Sequence, residues 1–212
     1  MRTLFSLALC LCIGLTANAQ ESAKDANGAV AKCGGACPVE TAMKGLPKIQ
    51  FKVNGKMIDG CIKCAESAAK ETKKPILYVV GKKEFKAESK AKMELVTATE
   101  KVVKDFATPC KCDVSKTTTI AGKKCDCPVE ADERSKLVTA AMNKVVMSYK
   151  VGDKSCDCPV EAKALSTSTG KAKEFVVGSQ CTVCEVTARL ELAKAKYKAA
   201  LEAVAKLDSA KK

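Results

Sequence analysis

The chain contains no histidine and no tryptophan. Without histidine there is no imidazole general base, no Cys-His nucleophile pair and no mixed Cys/His zinc site. The two C-x-x-C stretches are followed by Ala65 and Glu185, so neither has the histidine that c-type haem attachment requires. Aromatic residues make up only 4% of the sequence. Cores built mainly from alanine and aliphatic side chains are thin, and small thin-cored domains commonly rely on covalent or metal staples. Arginine is scarce too, limited to Arg2, Arg134 and Arg189, so the net charge of +13 is carried by lysine. Specific readers of bases and phosphates favour the bidentate arginine fork, so no specific nucleic-acid partner is expected. Lysines scattered among alanines and glutamates suit a solvated surface and weak attachment to anionic surfaces. No glycine-rich phosphate loop is present, and Gly34-Gly35 reads as a flexible bridge.

The first residues read as a secretory signal. Arg2 supplies a positive start, Leu4 to Leu15 an apolar run, and Ala17-Asn18-Ala19 the small-x-small cleavage pattern, so residues 1–19 are expected to be removed. Cys10 and Cys12 lie inside that segment. Beyond it, no apolar run approaches the ~20 residues that span a bilayer, so the processed chain is expected not to be transmembrane. A secreted or periplasmic location follows as an expectation. Residues 20–30 are small and polar and read as a disordered lead.

What the sequence does have is sulfur in close pairs. They are Cys33/Cys37, Cys61/Cys64, Cys110/Cys112, Cys125/Cys127, Cys156/Cys158 and Cys181/Cys184. Thiols at such spacing bind a soft metal, cycle between dithiol and disulfide, or staple the chain.

Internal similarity organises the rest. Cys125-Asp126-Cys127-Pro128-Val129-Glu130-Ala131 recurs as Cys156-Asp157-Cys158-Pro159-Val160-Glu161-Ala162, with a relative at Cys37-Pro38-Val39-Glu40. Strand-like stretches ending in glycine recur at Phe51–Gly55, Tyr78–Gly81, Tyr149–Gly152 and Phe175–Gly178, with a weaker example at Ile120–Gly122. The expected fold class is α+β, made of tandem small ββα units in two duplicated halves, residues 31–107 and 119–209, joined by 108–118. Each half is expected to close with a long helix. The apolar stripes of those helices are Met93, Val96, Val103 and Phe106 in the first, and Val186, Leu190, Tyr197, Leu201 and Val204 in the second. Phe85 reads as an apolar plug where the second half has a thiol pair.

Cys37, Cys127 and Cys158 each precede Pro-Val-Glu. Proline is favoured at the first helical position and an acid in the first turn, which puts the cysteine at the N-cap, where free N–H groups favour thiolate. C-x-C pairs put two sulfurs on one side of the chain, and four thiolates complete a tetrahedral site for zinc, while soft sulfur also suits copper(I). One grouping joins Cys33, Cys37, Cys61 and Cys64. A second joins Cys110, Cys112, Cys125 and Cys127, and a third Cys156, Cys158, Cys181 and Cys184.

The run Cys37-Pro38-Val39, then Phe51-Lys52-Val53-Asn54-Gly55-Lys56, then Cys61-Ile62-Lys63-Cys64 resembles metal-binding modules of the YHS/TRASH type. Cys158-Pro159-Val160, Phe175 to Gly178, Cys181 and Cys184 repeat the pattern, with C-x-x-C where that family usually has C-x-x-x-C. The resemblance implies heavy-metal sensing or trafficking, with Cys37, Cys61, Cys64, Cys158, Cys181 and Cys184 as ligands. The chain is also similar to uncharacterised secreted bacterial repeats built on V-G-D-K and C-P-x-x-A, from which no function transfers. The leading expectation is therefore a protein that binds zinc or copper(I) through clustered thiolates and is not an enzyme. The alternatives are a disulfide-stapled structural or interaction protein, with another secreted protein as partner, and a thiol–disulfide redox protein using Cys61/Cys64 and Cys181/Cys184.

Overall fold

Two-residue turns fold the chain into hairpins wherever a β-branched or aromatic run meets a glycine. The computed structural model describes residues 38–113 and 115–210, which fall in one contact-dense unit. The residues expected to form the signal and the lead, together with Cys33 and Cys37, lie outside the described residues.

In chain order the elements are α1 (Pro38–Lys44), β1 (Ile49–Val53), β2 (Lys56–Ile58), α2 (Ile62–Thr72), β3 (Ile76–Val80), β4 (Lys83–Phe85) and α3 (Glu88–Ala107). Then come β5 (Cys110–Lys111), β6 (Thr118–Ile120), β7 (Lys123–Cys125), α4 (Pro128–Asn143), β8 (Ser148–Val151) and β9 (Lys154–Cys156). The series ends with α5 (Pro159–Thr169), β10 (Lys173–Val177), β11 (Gln180–Thr182) and α6 (Glu185–Ala210). The fold is mixed α+β, with three antiparallel sheets ordered β2-β1-β3-β4, β5-β6-β7 and β11-β10-β8-β9. Among the described residues, no helix is long and apolar enough to cross a membrane.

Five hairpins close on two-residue turns, and a longer loop joins β5 to β6. Asn54-Gly55 and Ala121-Gly122 have positive φ at both positions, whereas in Gly81-Lys82, Gly152-Asp153 and Gly178-Ser179 only the glycine does. These are the φ signs of I′ and II′ turns, whose twist matches that of paired strands. The turn fixes the register, and the register aligns one position in every hairpin. Across the ladders Phe51 faces Ile58, Tyr78 faces Phe85, Thr118 faces Cys125, Tyr149 faces Cys156 and Phe175 faces Thr182. The cross-strand aromatic pairs Phe51/Tyr78 and Tyr149/Phe175 meet edge-on at centroid distances of 5.9 and 5.7 Å. Such pairs add roughly 0.5–1.5 kcal/mol beyond their buried area.

Each hairpin leads into a helix whose fourth residue is a buried alanine: Ala65, Ala91, Ala131, Ala162 and Ala188. Its N–H donates to the carbonyl of the residue before the helix, closing the first turn. A methyl group at this point lets the helix axis approach its own sheet closely.

Three helices make the second layer. α6 packs along both α3 and α4, and α1 rests against it as well. Leu46, Val103, Ala193 and Tyr197 share one core there, with Phe106 edge-on to Tyr197 at 5.0 Å. The expected α3 stripe is partly out of phase. Val96 and Val103 are buried, but Met93 is 59% exposed, and the face is completed by Ala91, Leu95 and Thr99. On α6, Tyr197 and Val204 are buried as expected, but Ala188, Ala193 and Ala200 carry much of the contact. Small residues allow the close approach of the helices, and apolar periodicity alone overlooks them. Residues 108–118 hold β5, which pairs with β6; two residues are too few to display a strand period.

A buried polar tie joins α4 to α6. Arg134 of α4, 2% exposed, donates two hydrogen bonds to Asp208 of α6, at 2.7 and 2.9 Å. Asp208 sits in the last turn of α6, where the helix dipole disfavours an acid, and the guanidinium offsets that. Replacing Asp208 with alanine leaves a buried guanidinium without its carboxylate. Because Asp208 is itself 41% exposed, the expected loss is about 2 kcal/mol, below the 3–5 of fully buried pairs. Urea denaturation should show this loss, with R134M/D208L less destabilised than D208A. Ala162→Leu forces a larger side chain against the hairpin and should cost about 1–3 kcal/mol by the same measurement.

Candidate functional site

The cysteines divide according to where the hairpin ends and the helix starts. Cys61, Cys127 and Cys158 are the N-caps of α2, α4 and α5, all with extended backbone. Cys184 holds the same place before α6, its carbonyl accepting the Ala188 N–H at 3.0 Å. Ala87 occupies it before α3. All four of these cysteines are exposed. Proline follows Cys127 and Cys158 directly, as expected from C-P-V-E.

Cys61 and Cys64 bring their sulfurs within reach of each other, with Sγ atoms 3.9 Å apart. Cys64 lies inside α2, on its first turn. The thiol of Cys61 is shifted below its ordinary value. The N–H of Cys64 contributes most, then that of Lys63, then the Cys64 thiol. These are free donors of a helix start, and they favour sulfur with a negative charge. Two Zn–S bonds of about 2.3 Å at a tetrahedral angle span roughly 3.8 Å between sulfurs. The pair therefore fits two adjacent positions on one soft ion.

The other C-x-x-C pair is asymmetric. Cys181 lies on β11, and its thiol donates to Glu174 Oε2 at 3.0 Å. This bond, with partial desolvation and the carboxylate charge, raises its pKa. Cys184 is shifted the other way. The Thr187 hydroxyl contributes most, then the Thr187 and Val186 N–H groups, with Lys92 of α3 adding positive charge. Thr187 and Lys92 went unnoticed in the sequence. Threonine three residues after an N-cap is a legible signal, but the approach of Lys92 depends on the packing of α3 against α6.

In the pairs Cys125/Cys127 and Cys156/Cys158 the first cysteine turns inward. Cys125 is 2% exposed and sits among Ile120, Ala131 and Val138. Cys156 packs against the cluster of Tyr149, Phe175 and Ala188, and its pKa is raised by desolvation first and then by the Glu161 charge. Both occupy the hairpin position that Phe85 occupies opposite Tyr78. Phe85 therefore corresponds to one core-facing cysteine and not to a thiol pair. The turn glycines already placed these residues in register, so counting from the turn would have found this.

Among the described residues, the groupings of Cys110, Cys112, Cys125 and Cys127 and of Cys156, Cys158, Cys181 and Cys184 do not come together as sets of four, and the grouping with Cys33 and Cys37 reaches outside the described residues. In β5-β6-β7 the register puts Cys110 level with Thr119, and Cys125 level with Thr118. Adjacent residues point to opposite faces, so Cys110 and Cys125 lie on opposite sides of that sheet. In β11-β10-β8-β9, Cys181 faces away from the core while Cys156 faces into it. β9 and β11 are the two edges, about 14 Å apart at ~4.8 Å per strand. Among the described residues, no three His, Cys, Asp or Glu side chains come together as a metal-binding group. Cys110 and Cys112 are exposed on and beside β5.

No protein-family model matches the chain, and no similar curated protein or solved structure is found.

The opposed shifts set an order of reactivity in the reduced protein. Near pH 7, Cys61 and Cys184 should be alkylated faster than Cys156 and Cys181, because only thiolate reacts. Site-resolved mass spectrometry after brief iodoacetamide treatment measures each rate. E174Q should accelerate Cys181 and leave Cys61 unchanged.

Proposed function

We propose that this is a secreted or periplasmic protein that holds a soft metal ion, zinc or copper(I), on exposed thiolates, with Cys61 and Cys64 as its principal ligands. The observation that carries this reading is the 3.9 Å separation of their sulfurs at the start of α2. The ion chemistry follows from the donors: two thiolates favour soft ions, and a site with two protein ligands leaves positions open for exchange. Lys63 between them and the free N–H groups of α2 reduce the repulsion of two sulfur anions. Ligation requires deprotonation, so affinity falls as pH drops and protons compete for sulfur. The lowered pKa of Cys61 extends binding toward lower pH than an ordinary thiol pair would allow.

The architecture belongs to the same proposal. We read the chain as two duplicated halves of ββα units. Support comes from the shared strand order of the two four-stranded sheets, the equivalent aromatic pairs and the alanine at the fourth position of each helix. The remaining exposed cysteines, Cys110, Cys112, Cys127, Cys158, Cys181 and Cys184, are secondary ligands in this reading. Cys125 and Cys156 act as core residues.

A second reading rests on the same pair. Two thiols 3.9 Å apart, one with a lowered pKa, also suit a dithiol–disulfide couple. Titrating the reduced protein with zinc or copper(I) against a chromophoric competitor separates the two. The expected result is that C61S/C64S loses at least one equivalent of bound metal, while C125A keeps the full stoichiometry. Equal binding by wild type and C61S/C64S overturns the metal reading. A non-reduced mass lower by two hydrogens, mapped to Cys61–Cys64, then favours the redox one, and losses mapped across all pairs favour a stapled scaffold.

A further inference from the structure

The cysteines occupy the hairpin ends, but a well-walled opening among the helices lies elsewhere. A groove of about 480 Å³ opens where the last turns of α3 and α4 converge on the first half of α6. Its floor is apolar, formed by Val103, Met142, Leu192 and Ala193. Its rim is charged. Glu100 is the single carboxylate lining it, and that carboxylate is already engaged by Arg189, which donates to both oxygens at 2.9 Å. Lys104 and Lys196 complete the rim, and among the described residues neither ammonium has a carboxylate in salt-bridge range. α3 and α4 end here, each adding roughly half a negative charge. Two full positive charges outweigh them, so the mouth is net positive above an apolar floor.

We propose that this groove binds a small anionic amphiphile of the medium-chain carboxylate class, its chain on the Val103–Leu192 floor and its head group between Lys104 and Lys196. The size falls within the range of small-molecule sites, and an apolar lining with a few convergent polar groups is their usual composition. Charge selects the head group, because a cationic one would meet Lys104 and Lys196 with no carboxylate left to receive it. The site shares no side chain with the thiols and stands independently of the metal reading.

Isothermal titration of the full mature chain with dodecanoate, below the concentration at which it forms micelles, tests this. Saturable binding of one equivalent is expected, with dodecyltrimethylammonium at least tenfold weaker. K104E/K196E should weaken dodecanoate at least tenfold. K82E/K154E, which makes the same change in net charge at exposed hairpin lysines, should leave it within twofold. Circular dichroism checks that both variants keep wild-type helix content. Absence of saturable binding, equal or tighter binding of the cationic amphiphile, or equal losses in the two double variants would each overturn the proposal.

Discussion

The architecture depends on close approach at the hairpin-to-helix junction. After each hairpin the chain must turn and lay a helix over the strands it has just left, within a few residues. Ala65, Ala91, Ala131, Ala162 and Ala188 make this possible, because a methyl group is all that separates helix backbone from sheet at that point. The residue before each helix is then left at the rim, outside the packed interface. A cysteine there has its backbone committed to the first helical turn and its sulfur in solvent. The exposed thiols at Cys61, Cys127, Cys158 and Cys184 are thus a by-product of how the layers are stacked.

The pleat decides what the remaining cysteines are for. Side chains alternate between faces, so one residue separates a core sulfur from a solvent one. Cys125 and Cys156 fall on the inward parity and behave as small apolar residues. Cys181, one place earlier in its hairpin than the Phe85 equivalent, falls on the outward parity and meets Glu174. Cys61 and Cys64 come together because both lie at the start of one helix. Cys110 and Cys125, by contrast, are kept apart by the sheet that carries them.

Much of this arrangement could be read from residues alone. The glycine turns, the α+β class and the N-cap places of Cys127 and Cys158 each follow from a local rule with a steric cause. The four-thiolate groupings required knowing which strands are edges and which faces are inward, and these are long-range facts about pairing. The misplaced stripe on α3 has a related origin. Met93 matches a helical period, but the packing phase is set by Ala91 and Thr99, which carry no apolar signal of comparable strength. In an alanine-rich chain the buried face is marked by what is small.

The length of α6 carries one more consequence. Its 26 residues make a rod of about 39 Å that serves as the common wall for α1, α3 and α4. All three precede it in the chain, so during synthesis their inner faces wait for it uncovered. Loss of this one helix would therefore bare three faces at once.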